Sequence, residues 1–320
     1  MLISLVLLAT GFIVLVKGGD LLVGGASSIA KHFNVSELVI GLTIISLGTS
    51  APELLVNIFA AAAGNSGIAL GNVFGSNICN TLLILGVSGI VAPIAVQSST
   101  VWKEIPYSIF IGIVLILLLN DALFDSASAN MLSRGDGLVL IVLFGLFMYY
   151  VFTISKSRSG METDETPDFG IKKSSLFVVL GLAGLVLGGK LVVTGAVDIA
   201  SGLGVSEAMI GLTVVAIGTS LPELFASVMA ARRGKPDLVI GNVIGSNIFN
   251  ILFVLGTSSA IISMPYPAFM NYDMLLVIAS TMLVFAFMFS GRHKKTLERW
   301  EGGFLVASYA AYLAYLAVRG

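Results

Sequence analysis

The sequence predicts an all-α membrane protein. It has ten transmembrane helices in two inverted five-helix repeats, with broken helices 2, 3, 7 and 8 around a central ion site. Three observations lead there. Of the 320 residues, 57% are hydrophobic and only 11% charged, less than half the charged share of about 25% in soluble domains. Apolar runs long enough to span a bilayer recur along the whole chain. Residues 41–80 and 211–250 are one segment written twice, offset by 170 without a gap and identical at 20 of 40 positions.

A spanning helix needs about 20 apolar residues. On that rule the spans lie near 2–24, 36–62, 68–91, 104–120, 136–155, 174–198, 206–231, 237–261, 272–290 and 300–318. The first 16 residues carry no charge, so the basic start of a cleaved signal peptide is missing. Gly18-Gly19 and Ile29-Ala30 recur as Gly188-Gly189 and Ile199-Ala200, which places the first span in the mature fold as the counterpart of the sixth. The domain reading is a half at 1–155, a solvated linker at 156–173 and a second half at 174–320.

Lysine and arginine set the direction. With an external N-terminus, the inner loops hold thirteen of them, from Lys31 and Lys103 to Lys295 and Arg299, against Arg134 and Arg319 outside. Basic residues favour the cytoplasm, so both termini are expected outside and the linker inside, in a plasma-membrane protein. Five spans per half then place the two halves in opposite orientations, the inverted repeat of many secondary transporters. Lys17 and Lys190 fall within spans and are expected to snorkel. Asp20 and Asp198 lie near span ends, where a solvated or capping role is expected. Cys79, the single cysteine, excludes an internal disulfide and reads as a small buried hydrophobe.

Each duplicated segment carries a glutamate at membrane depth, Glu53 and Glu223. A carboxylate there is costly and marks a functional site. Ser46, Thr49, Ser50, Glu53 and Asn57 share one helical face, as do Ala216, Thr219, Ser220, Glu223 and Ser227. Pro52 and Pro222 precede the glutamates and are expected to free the carbonyls of Gly48 and Gly218. Asn72, Ser76 and Asn80 form a facing polar stripe, repeated by Asn242, Ser246 and Asn250, with Asn77 and Asn247 alongside. Gly71 with Gly75, and Gly241 with Gly245, allow close backbone approach. Carboxylates, hydroxyls and open carbonyls make an all-oxygen set suited to hard cations. Two carboxylates balance one divalent cation or two monovalent ones, and occupants that share ligands compete. The residues thus point to a cation antiporter without choosing the cations.

At these residues the chain resembles the sodium/calcium exchanger family. The signature is the pair of repeats GLTIISLGTSAPEL with GNVFGSNICN and GLTVVAIGTSLPEL with GNVIGSNIFN. The resemblance implies calcium held by Glu53 and Glu223 with carbonyl help from Thr49 and Thr219. It implies sodium held by the same glutamates with Ser50, Ser220, Ser76, Ser246 and the carbonyls of Ser46 and Ala216, and Asn80 and Asn250 lining the middle site. It also implies several Na⁺ exchanged for one Ca²⁺, with the first and sixth spans sliding to switch access. Some relatives, including potassium-dependent ones, have aspartate where this chain has Asn250, which argues here against potassium coupling. The linker cannot hold the regulatory domain of eukaryotic members.

The expected substrates are Ca²⁺ and Na⁺, in a lipid bilayer, with no cofactor, nucleic acid or protein partner. The alternative is a Ca²⁺/H⁺ antiporter, since buried carboxylates can carry protons. A passive channel would use the same carboxylates. An intramembrane hydrolase is disfavoured, because no histidine or lysine is placed to activate Ser50 and acid and base need unlike environments.

Overall fold

The computed structural model describes residues 2–121, 130–157, 169–203 and 216–319, and these are almost wholly helical. Among them, eight helices are long and apolar enough to cross a membrane, or nine if one pair bent by 46° counts as a single span. In order these are α1 (Leu2–Phe33), the bent pair α2 (Glu37–Thr49) and α3 (Ala51–Ala62), α4 (Ser66–Val91), α5 (Ser98–Leu118), α6 (Arg134–Ser157) and α7 (Ile171–Gly202). After these come α8 (Ala216–Thr219), α9 (Leu221–Arg232), α10 (Pro236–Ile261), α11 (Asn271–Phe287) and α12 (Arg299–Arg319). The seventh expected span, near 206–231, begins outside the described residues, as does most of the linker.

Two boundaries differ from expectation. α1 continues through Lys31 and His32 to Phe33, because hydrogen bonding carries a helix past the point where its apolar run ends. At 1.5 Å per residue its 32 residues reach about 48 Å, well beyond a hydrocarbon layer of ~30 Å. Helices 3 and 8, expected to be broken, stay continuous as α4 and α10. Neither has an internal proline, and the irregularity is a π-helical stretch in each, Cys79–Ile84 and Phe249–Leu255. Such wide turns recur at functional sites.

α1 and α7 pack antiparallel through small residues spaced by seven. Ser4, Gly11, Gly18 and Gly25 lie on α1, and Ser174, Gly181, Gly188 and Gly195 on α7. A Cβ added at Gly11 would lie 2.9 Å from the Gly188 carbonyl oxygen, at Gly18 3.0 Å from that of Gly181, at Gly25 2.7 Å from that of Ser174, and at Gly195 2.6 Å from that of Ser4. Every seventh residue returns to the same helical face, so the two backbones touch along their whole overlap. α7 also reaches the centre, where Leu182 covers Gly48 and Val193 covers Gly218.

The bundle centre is α10 and α4, with 94% and 78% of their apolar windows buried, against 22–39% for the other spanning helices. Gly241 and Gly245 bring α10 onto α2. A Cβ at Gly241 would meet the Gly41 Cα at 2.9 Å, and one at Gly245 the Leu42 Cα at 3.0 Å. The expected counterpart, Gly71 and Gly75 against the start of the seventh span, involves residues outside those described.

Two-residue antiparallel ladders close the ends of the bundle, Ile94–Ala95 with Thr296–Leu297 and Met131–Leu132 with Met264–Pro265. Polar contacts lace the end that carries Lys103 and Lys295. Arg233 pairs with Asp20, Lys235 Nζ lies 2.8 Å from Glu37, and Gln97 bonds Asp237. Asp20 is thus an ion-pair partner, because the chain after α9 turns back onto α1 and carries Arg233 there.

Candidate ion-binding site

The break between α2 and α3 places Glu53. Ser50 leaves the helix with φ −82° and ψ 5°, and Pro52 follows in the first turn of α3. Proline is accommodated there because a first-turn N–H has no intrahelical partner. Pro52 therefore starts a new helix instead of kinking an old one, and Glu53 sits in its first turn. The second half repeats the geometry. Ser220 has φ −90° and ψ 5°, Pro222 lies in the first turn of α9, and Glu223 follows it. Both glutamates are 1% exposed.

The two halves face each other crosswise. The Ser50 hydroxyl donates to Glu223 Oε1 at 3.1 Å, and Thr49 lies beside the same carboxylate. Thr219 and Ser76 lie beside Glu53. Each glutamate is thus cradled by hydroxyls, with Thr219 of the second half at Glu53 and Ser50 of the first at Glu223.

The asparagines of α4 and α10 form the wall. Asn80 Nδ2 donates to Asn247 Oδ1 at 3.1 Å, and Asn250 Nδ2 to Asn77 Oδ1 at 3.2 Å. Residues 77 and 80 are the repeat equivalents of 247 and 250, so the two bonds mirror each other. Nearby, the Thr49 hydroxyl donates to the Ile45 carbonyl at 3.0 Å and lies 3.2 Å from Asn242 Oδ1. Asn242 Nδ2 in turn donates to Ser227 Oγ at 2.9 Å.

Several buried oxygens make no hydrogen bond among the described residues. Around the glutamates they include both carboxylate oxygens of Glu53, Oε2 of Glu223, Oγ of Ser220 and Ser246, and Oδ1 of Asn80 and Asn250. Buried polar atoms are normally satisfied, and these oxygens are the donor type hard cations take; one nitrogen of the same stripe, Asn72 Nδ2, likewise makes no hydrogen bond among the described residues. The Ser46 carbonyl accepts the Ser50 N–H at 2.9 Å and lies 3.4 Å from the Thr49 hydroxyl, whose shorter bond is to the Ile45 carbonyl. The Ser46 hydroxyl turns away to the Gly41 carbonyl, so this residue can offer the carbonyl, not the hydroxyl. Ala216 is the first residue of α8. Cys79 is buried beside Ser220 and Tyr309, near both glutamates.

The structure thus brings Glu53, Glu223, Thr49, Thr219, Ser50 and Ser76 together, with Asn80 and Asn250 fixed across the wall. Sequence reading set Asn77 and Asn247 aside as bystanders and missed that they bind the wall asparagines. The signal was available, since both recur in the duplicated GSNI segment.

Comparison with known proteins agrees. The family model described as sodium/calcium exchanger protein matches residues 3–153 and 173–318. The sodium/calcium exchanger MaX1 of Methanosarcina acetivorans is 32% identical over 98% of both chains. The inner membrane protein YrbG of Escherichia coli is 33% identical over 99% of this chain and 97% of its own. A solved structure of the sodium-calcium exchanger NCX_Mj, soaked with 10 mM Na⁺ and zero Ca²⁺, superposes with a TM-score of 0.82 at 35% identity, covering 98% of each chain. A transporter and not an enzyme, this multi-pass membrane protein belongs to the sodium/calcium exchanger family, whose business is cation/Ca²⁺ antiport.

Proposed function

We propose that the chain exchanges Na⁺ for Ca²⁺ across the plasma membrane by alternating access, extruding Ca²⁺ at the expense of the Na⁺ gradient. The observation that carries this is the cluster of buried oxygens, without hydrogen-bond partners among the described residues, around two buried carboxylates. Glu53 and Glu223 hold Ca²⁺ with Thr49 and Thr219. Na⁺ uses the same carboxylates with Ser50, Ser220, Ser76, Ser246 and the carbonyls of Ser46 and Ala216, beside Asn80 and Asn250. The Ser and Thr hydroxyls beside each glutamate are neutral oxygens that suit Na⁺ and that a proton exchanger needs less, although Ca²⁺ itself also draws on such ligands. This favours Na⁺ over the Ca²⁺/H⁺ alternative.

The cycle follows from charge. Moving a site with two bare carboxylates through the low-dielectric core is costly, so the carrier crosses only when cations compensate it. The joined pair α1 and α7 is the moving body, and its contacts at Gly48 and Gly218 link that movement to both helix breaks. The architecture in this reading is ten spans in inverted halves 1–155 and 174–320, with external termini and a cytoplasmic linker at 156–173.

Flux tests the reading. Proteoliposomes loaded with Na⁺ and diluted into Na⁺-free buffer are expected to take up radioactive Ca²⁺. Uptake indifferent to the Na⁺ gradient but driven by a pH gradient would transfer the assignment to H⁺ coupling.

A further inference from the structure

We infer that Asn77, Asn247 and Thr81 are positioning residues that fix which way the side-chain amides of Asn80 and Asn250 face, and so whether those residues present oxygen or nitrogen to the transported cations. The inference rests on the ion-site reading above and deepens it.

An asparagine amide has an acceptor oxygen at one end and a two-proton donor at the other. It helps a cation only when the oxygen points inward, and a flipped amide presents two N–H groups to a positive ion. Asn80 and Asn250 are 1% and 0% exposed, so water does not set their orientation. Their neighbours do. Asn80 Nδ2 is held by Asn247 Oδ1 at 3.1 Å and Asn250 Nδ2 by Asn77 Oδ1 at 3.2 Å. With both nitrogens committed across the pair, the oxygens of Asn80 and Asn250 are the ends without a hydrogen bond among the described residues.

The brace must itself be oriented, since Asn247 could flip and offer nitrogen to nitrogen. Thr81 opposes this, because its hydroxyl oxygen accepts from Asn247 Nδ2 at 2.8 Å and a flip would force that hydroxyl to turn and donate instead. Among the described residues Asn77 has no such anchor. The position equivalent to Thr81 is Ile251, which has no hydroxyl, and among the described residues Asn77 Nδ2 reaches only the Asn247 carbonyl at 3.5 Å. The wall is therefore pinned firmly at Asn80 and loosely at Asn250. In an otherwise matched pair of repeats, this makes the two amide ligands unequal.

The test is Thr81→Val, which keeps the shape and removes the acceptor. Loss of one buried orienting hydrogen bond is expected to raise the half-saturating Ca²⁺ concentration about tenfold, with the protein still folded and monodisperse. Thr81→Ser is expected to restore it. A carboxylate has no wrong face, so in an Asn80→Asp background Thr81→Val is expected to add no further loss. An unchanged half-saturation in Thr81→Val, failure of Thr81→Ser to rescue, or an equal loss in the Asn80→Asp background each overturns the positioning role. Glu53→Gln separates the two levels. If it still exchanges Ca²⁺, the ion-site reading itself fails. If it is inactive while Thr81→Val behaves as wild type, only the positioning role fails.

Discussion

The seven-residue spacing of small side chains between α1 and α7 makes a prediction whose size follows from distances. In Gly181→Ala the new methyl would lie 2.6 Å from the Leu22 amide nitrogen and 2.8 Å from the Gly18 carbonyl oxygen, whereas ordinary contact begins near 3.4 Å. Both obstacles are backbone, so no rotamer change relieves them. The helices must part locally by about 0.8 Å, which opens the neighbouring contacts at Gly188 and Ser174 as well. Overpacking of this kind costs about 1–3 kcal/mol. Gly145→Ala on α6 is the control, because its methyl meets nothing within 4 Å and alanine raises helix propensity by ~1 kcal/mol over glycine. Thermal unfolding in detergent is expected to rank Gly181→Ala clearly below wild type and Gly145→Ala at or above it. Combining Gly18→Ala with Gly181→Ala is expected to cost less than the sum, because one separation accommodates both methyls. Gly181→Ala as stable as Gly145→Ala would refute the idea that these backbones touch and move together.

Three further outcomes follow from other contacts. Glu53→Gln and Glu223→Gln are each expected to abolish Ca²⁺ exchange in vesicles while size-exclusion profiles stay monodisperse; a variant transporting at the wild-type rate removes its carboxylate from the site. The Asp20–Arg233 pair ties α1 to the chain after α9 with its side chains 43% and 37% exposed, so it is worth at most ~1 kcal/mol. Arg233→Ala is then expected to shift the ratio of the two access states by up to about fivefold, a shift that high salt reproduces in wild type, measured by labelling a cysteine introduced in the loop after α9. Equal labelling in all cases removes the pair as a latch. In the loop before α12, the Arg292 and His293 N–H groups donate to Glu298 at 2.7 and 2.9 Å and hold its carboxyl below the usual range. A depressed value means the loop's added order is present above the ordinary carboxylate pKa and lost as pH falls through the lowered one. Protease cleavage at residues 291–298 is therefore expected to rise only in that acidic window, and in Glu298→Gln, which keeps an acceptor oxygen but no titrating proton, cleavage is expected to lose that pH dependence.

Much of this architecture was legible because its chemistry is written twice. Glu53 and Glu223 stood out as charges in apolar sequence, and the duplication assigned their hydroxyl neighbours Thr49, Ser50, Thr219 and Ser220 without any coordinates. Three things were less legible. A proline reads as a kink, yet Pro52 and Pro222 open new helices, since that depends on where the preceding helix stops. The irregularity of α4 and α10 is a wide turn within a continuous helix, and side-chain pattern does not encode hydrogen-bond register. The seven-residue spacing between α1 and α7 is harder to see, because Gly18-Gly19 and Gly188-Gly189 read as repeat markers, although Ser4, Gly11, Gly18 and Gly25 can be counted in the sequence alone.

The differences between the repeats are as informative as their identity. An inverted repeat whose halves were chemically equal would have no reason to prefer one access state, because exchanging the halves exchanges inside for outside. Here Arg233 pairs with Asp20, while their equivalents are Ala63 and Lys190, which cannot form that bridge. Lys235 pairs with Glu37, and its equivalent is the uncharged Asn65. Thr81 anchors the asparagine brace where Ile251 does not. The first two substitutions lace one end of the bundle and leave the other without the same ion pairs, and the third makes the ion wall unequal. None alters Glu53 or Glu223. On the proposed function, the shared residues are expected to define what the site binds, and the unmatched ones to bias how readily each face opens to it.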